Sequence, residues 1–104
     1  MTDFETALTA TGYKWAHHGF VNIPNETYMV YSEDRIEPLR AGGKQVESIT
    51  HGVLDLFTRD DSGVPRSTVE TQLNKLAGFA FRLDDILFEE ETGLIHYAWH
   101  WSVV

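Results

Sequence analysis

Cysteine is absent from this chain of 104 residues, which removes disulfides, thiolate nucleophiles and cysteine-based zinc or iron–sulfur sites together. Basic residues are scarce. Eight Lys and Arg stand against 16 Asp and Glu, a formal net charge of −8, and no two of the eight are adjacent. Nucleic-acid readers and proteins that dock on anionic membranes both need clustered cations, so neither specific nucleic-acid binding nor membrane binding is expected. No apolar run approaches the roughly 18 residues that a membrane span requires. The acidic opening Met1-Thr2-Asp3-Phe4-Glu5 lacks the basic and apolar regions of a secretory signal, so cytoplasmic synthesis without export is the expectation. Internal repeats and low-complexity tracts are also missing.

What is present suits one folded domain: 42% hydrophobic and 12% aromatic residues spread along the whole length. A chain of this size buries about two-thirds of its unfolded surface and has room for one core. Thr2–Ala10 reads as a helix with Phe4, Ala7, Leu8 and Thr11 on one face, Thr2 as cap and Glu5 completing a capping box. Tyr13–Asn25, with His17, His18 and Pro24, has no clean period and reads as an irregular connection. Tyr28–Ser32 is a strand by its aromatic and β-branched content. Glu33–Lys44 alternates charges around one Pro and a Gly-Gly turn, the pattern of a long exposed β-hairpin arm or loop. Val46–Thr58 returns as a strand apolar on both parities, with Gly52 a candidate bulge. A second helix is expected over Ser67–Ala77, with Pro65 at its start or Ser67 capping toward Glu70. Phe79–Phe88 begins as an alternating strand before Asp84-Asp85 blurs the period. Ile95–Val103 alternates cleanly, with Tyr97, Trp99 and Trp101 on one parity and His96, Ala98 and His100 on the other. The order predicts an α+β fold: a single mostly antiparallel sheet, two helices packed on one face and a long charged hairpin arm.

Signals for chemistry are few. His96 and His100 share a face but stand about 13 Å apart along a strand, too far to share one ion, and adjacent His17 and His18 point apart if extended. A mixed site of His51, His96 and a carboxylate from neighbouring strands stands against the simpler reading of hydrogen-bonded strand histidines. Asp84-Asp85 and Glu89-Glu90-Glu91 lie on turns rather than across a cleft, the serines lie in no nucleophile elbow, and Gly42-Gly43-Lys44 lacks the rest of a phosphate loop. Trp99 and Trp101 suit a core, with a subunit interface as the alternative. The mixed signs of Glu33, Asp34, Arg35, Glu37, Arg40 and Lys44 suit pairing with a second copy or a neighbour, or else a mobile hairpin.

One further likeness bears on function. Thr27-Tyr28-Met29-Val30-Tyr31 leading into a charged hairpin, the long strand Glu47–Thr58, the helix Ser67–Ala77 and above all Glu90-Glu91-Thr92-Gly93-Leu94-Ile95-His96-Tyr97-Ala98-Trp99-His100-Trp101-Ser102 resemble the small tail terminator, or tail completion, proteins of long-tailed bacteriophages and prophages. The resemblance implies a β-sheet with helices packed against it and a non-enzymatic structural subunit without cofactor. It implies a ring of self-copies, commonly six-fold, at the head-proximal end of the tail tube, contacting the tube protein and the head–tail connector within the virion. The arm residues Glu33, Asp34, Arg35, Glu37, Arg40 and Lys44 would then meet a neighbour or line the channel, and an acidic lumen would let DNA slide past. A head–tail joining or tube-like subunit shares this layout. From other classes, a small ligand- or metal-binding protein would use His51, His96 and His100, and an adaptor domain would take a peptide along a sheet edge.

Overall fold

A computed structural model describes residues 2–104; the side chains of Thr2, Ala41, Lys44, Gln45 and Val46 lie outside what is described. Among the described residues the order is α1 (Thr2–Ala10), β1 (Lys14–His17), β2 (Tyr28–Ala41), β3 (Lys44–Thr58), α2 (Val64–Leu73), β4 (Phe79–Glu89) and β5 (Leu94–Val103). The strands form one sheet in the order β1-β2-β3-β5-β4. Every neighbouring pair is antiparallel except β1 with β2. The expected α+β architecture is therefore present, with a mixed sheet.

Both helices lie on one face because both present a narrow apolar stripe. Phe4 and Leu8 from α1, with Val69 and Leu73 from α2, close over Met29, Tyr31, Leu54, Leu56, Tyr97, Trp99 and Trp101. Phe4 meets the Tyr31 ring edge-on at 4.9 Å and the Trp101 ring at 5.2 Å. Two buried polar tips are met by helix carboxylates: Tyr31 donates its hydroxyl proton to Glu5 at 2.5 Å, and Trp99 Nε1 donates to Glu70 at 3.0 Å. The buried Trp101 Nε1 has no partner among the described residues. Glu5 thus serves the core; the expected capping box turns on the Thr2 side chain, which lies outside the described residues. Trp99 and Trp101 are fully buried, which gives both to the core and neither to an interface.

Of the two expected starts for the second helix the one at Pro65 is present, and two other boundaries differ from the sequence reading, each for a local reason. Helix α2 begins at Val64 with Pro65 in its first turn, so Ser67 lies inside it and donates its amide to the Gly63 carbonyl instead of capping. It ends at Leu73, and Leu76 reaches the core from the following turn rather than from the helix. Within the stretch expected to be irregular, Lys14–His17 forms β1, paired in parallel with Tyr28–Tyr31. A tight hairpin turn would have made the pair antiparallel, and it is the longer connection over residues 18–27 that permits the parallel pairing.

The arm is a continuation of β2 and β3. Gly42 and Gly43 carry φ of 61° and 80°, the pair of positive values that a two-residue hairpin turn matched to strand twist requires. The bulge falls opposite Gly52, not at it: Glu33 pairs Gly52 and Arg35 pairs His51, leaving Asp34 as the extra residue on β2. Gly52 is there because a Cβ would collide with the Trp101 ring and the Ser32 carbonyl oxygen. A further bulge, between Leu83 and Asp85, accounts for the lost period in β4.

Candidate functional site

Strand β5 supports β3 only from Thr50 to Thr58, so the hairpin beyond the Ile36–Thr50 row stands clear of the sheet. Glu37–Ala41 spans about 13 Å at strand rise, and the molecule is elongated, 53 × 24 × 24 Å. The six charged residues expected to make contacts divide into two groups. At the base of the arm the acids are already engaged within the chain. Glu33 Oε1 lies 2.5 Å from His17 Nε2, Glu37 Oε1 lies 2.9 Å from His51 Nε2, and Asp34 lies 3.8 Å from His100. The hydrogen bond from His17 holds the Glu33 carboxyl below the usual carboxylate range. Arg35 reaches Glu37 at 3.7 Å. Farther out, Arg40 is exposed and forms no ion pair among the described residues, while the Lys44 side chain lies outside them.

The face of the sheet turned away from the helices carries the three histidines singled out in β3 and β5. His51 and His100 share a shallow depression of about 630 Å³ with Asp34, Arg35, Arg82 and Ser102, their rings 6.0 Å apart. His96 does not join them. It lies opposite Phe57, stacked on that ring at 4.3 Å, with Nε2 2.7 Å from Asp55 Oδ1. Residues 51 and 57 of one strand are about 20 Å apart, so the mixed site of His51, His96 and a carboxylate does not assemble. Asp84 pairs with Arg82 at 2.7 Å, and Glu89, Glu90 and Glu91 are exposed, so neither acidic run faces a partner carboxylate across a cleft.

His17 and His18 correct the expectation that they point apart. His18 has a φ of 71° and donates its amide to the Tyr31 carbonyl at 2.8 Å, which folds its ring back onto His17 at 3.8 Å. The His17 ring in turn lies flat on Tyr31, with centroids 4.4 Å apart and planes 7° from parallel. Sequence reasoning marked the histidine pair but not its meeting with Glu33, which depends on a pairing 16 residues distant.

At the opposite end of the sheet from the arm, the free edge of β4 exposes three consecutive large apolar residues, Ile86, Leu87 and Phe88, at 51, 50 and 64%. An uncovered apolar edge is a ready template for another chain. No helix among the described residues is long and apolar enough to cross a membrane. Compared with known proteins, the chain matches no family model and no curated protein sequence.

Proposed function

We propose that this protein is a structural subunit that builds a closed ring on a tubular partner, in the manner of a phage tail terminator at the head-proximal end of the tail. One observation carries the reading: the molecule bears two unlike unpartnered surfaces at opposite ends of its long axis. One is the charged hairpin beyond Ile36 and Thr50; the other is the apolar β4 edge at Ile86–Phe88. Head-to-tail association requires such a dissimilar pair, and a closed rotation repeats one contact around the ring. The resemblance in sequence supplies the tube and the head connector as partners and the virion as the location, and the work is done by shape and charge with no bond-making centre. An acidic chain lining a channel repels DNA and keeps it moving.

The test is sedimentation and electron microscopy of the protein alone and mixed with tail tubes. Rings, free or seated on tube ends, are the expected result, lost on Arg35→Glu with Arg40→Glu and on Phe88→Lys. A protein that stays monomeric at high concentration and fails to bind tubes overturns the reading. The depression shared by His51, His100, Arg35 and Arg82 favours a second reading, a small acidic-ligand binder. Saturable binding of a dicarboxylate or phosphate that shifts the His51 and His100 resonances would replace the first with it.

A further inference from the structure

We propose that His17, His18 and Glu33 bind a divalent transition-metal ion of the cobalt, nickel, copper and zinc series, a role that does not depend on ring formation. The ligand atoms of the three side chains already lie within 4.8 Å of one another. Ligands of a tetrahedral zinc ion at ordinary bond lengths stand about 3.3 Å apart, so on binding the His17–Glu33 hydrogen bond opens slightly and the His18 ring turns out of its stack on His17 to aim a nitrogen at the ion.

The fold brings each ligand near the others by a different device. His17 ends β1 and is clamped between the Tyr31 ring and the His18 ring, and Tyr31 is itself tied to α1 through its hydrogen bond to Glu5. His18 is the one non-glycine residue with positive φ among those described. Left-handed backbone costs a side-chain-bearing residue of order 1 kcal/mol or more, and such strain gathers at functional positions. Here its product is the placement of a second imidazole beside the first, held by the amide bond to the Tyr31 carbonyl. Glu33 comes from the neighbouring strand, and its Oε1 already meets His17 Nε2 at 2.5 Å, a hydrogen bond that the ion would replace.

The donor set decides the class of ion. Two imidazole nitrogens and one carboxylate oxygen suit the later first-row metals, whereas calcium and magnesium take oxygen ligands. The half-exposed edge leaves the remaining coordination positions to water. The other β-sheet histidines lack this arrangement: His51, His96 and His100 each face a carboxylate without forming a three-ligand group among the described residues.

Titration of the untagged chain with zinc chloride by calorimetry, followed in parallel by NMR of the imidazole protons, tests the proposal. One zinc per chain is expected, with the resonances of His17 and His18 moving and those of His51, His96 and His100 still. Calcium and magnesium should give no saturable binding. The His18→Gly variant removes a ligand while suiting the left-handed backbone, so it should fold at least as well as the parent and bind zinc more than about ten-fold more weakly. Glu33→Gln should weaken binding similarly. Absence of saturable zinc binding by the folded chain, unchanged affinity in His18→Gly, or zinc-dependent shifts confined to the other three histidines would each overturn the proposal.

Discussion

On the face of the sheet beneath the helices, Leu54, Leu56, Tyr97, Trp99 and Trp101 are buried. On the opposite face the alternate residues of the same strands, His51, Val53, Asp55, Phe57, His96 and His100, remain partly in water. The covered face is stabilised by removing apolar area from water and by interlocking shapes, which tolerate little change. The open face is a set of histidine–carboxylate pairs standing in partial solvent, where ion pairs contribute little to stability. One strand thus carries two kinds of surface at successive residues, so substitutions one position apart should differ several-fold in effect.

The sharpest test of that contrast is Gly52, where any side chain meets the Trp101 ring and the Ser32 backbone oxygen. Gly52→Val should cost about 3 kcal/mol or more, seen as loss of cooperative urea unfolding or of soluble protein. Leu54→Ala, in the centre of the covered face, should cost about 3 kcal/mol in the same measurement by opening a cavity.

Alkaline pH probes the covered face through its buried phenol. Burial, then the hydrogen bond to Glu5 and that carboxylate's charge, push Tyr31 well above the usual phenol range. The folded state therefore keeps a proton that the unfolded chain releases. The corresponding stability is complete below about pH 10 and falls as pH rises beyond it. Tyr31→Phe should flatten that decline in thermal melts recorded between neutral and alkaline pH, leaving the contribution of Tyr28, which burial also raises.

The open face should respond weakly. His96→Gln or Asp55→Asn, which break the 2.7 Å pair, should each change stability by about 1 kcal/mol or less. A loss as large as that for Leu54→Ala would erase the distinction between the faces. The smallest effect on folding belongs to the arm. Arg35→Glu with Arg40→Glu should leave the unfolding free energy within about 0.5 kcal/mol of the parent while abolishing assembly in sedimentation, because those side chains touch little of their own chain.

Much of this architecture is legible in the chain because it is local. The 3.6-residue spacing of Phe4 and Leu8 and of Val69 and Leu73 announces the helices, and the strict alternation of Tyr97, Trp99 and Trp101 announces β5 and its buried parity. The paired glycines 42 and 43 mark the tip of the hairpin by residue type alone, since few other residues accept two successive positive φ values. Strand β1 escapes because four residues are too few for a period to show, and because its partner lies beyond a ten-residue connection, residues 18–27. The end of α2 escapes because Leu76 keeps the helical spacing of apolar residues after the helical hydrogen bonds have stopped.

The candidate sites divide along the same line. Amino-acid order alone determined which residues are charged, where the arm turns, which parity of β5 is aromatic, and that cysteine chemistry is excluded. Tertiary structure alone decided that Asp34 bulges opposite Gly52, that Glu33, Asp34 and Glu37 are each taken by a histidine from another strand, and that His18 folds back to meet His17 and Glu33. Local order sets backbone preference and periodicity within a turn or two. Which distant side chains come within bonding distance depends on strand register, which is selected only when the whole apolar face finds its cover.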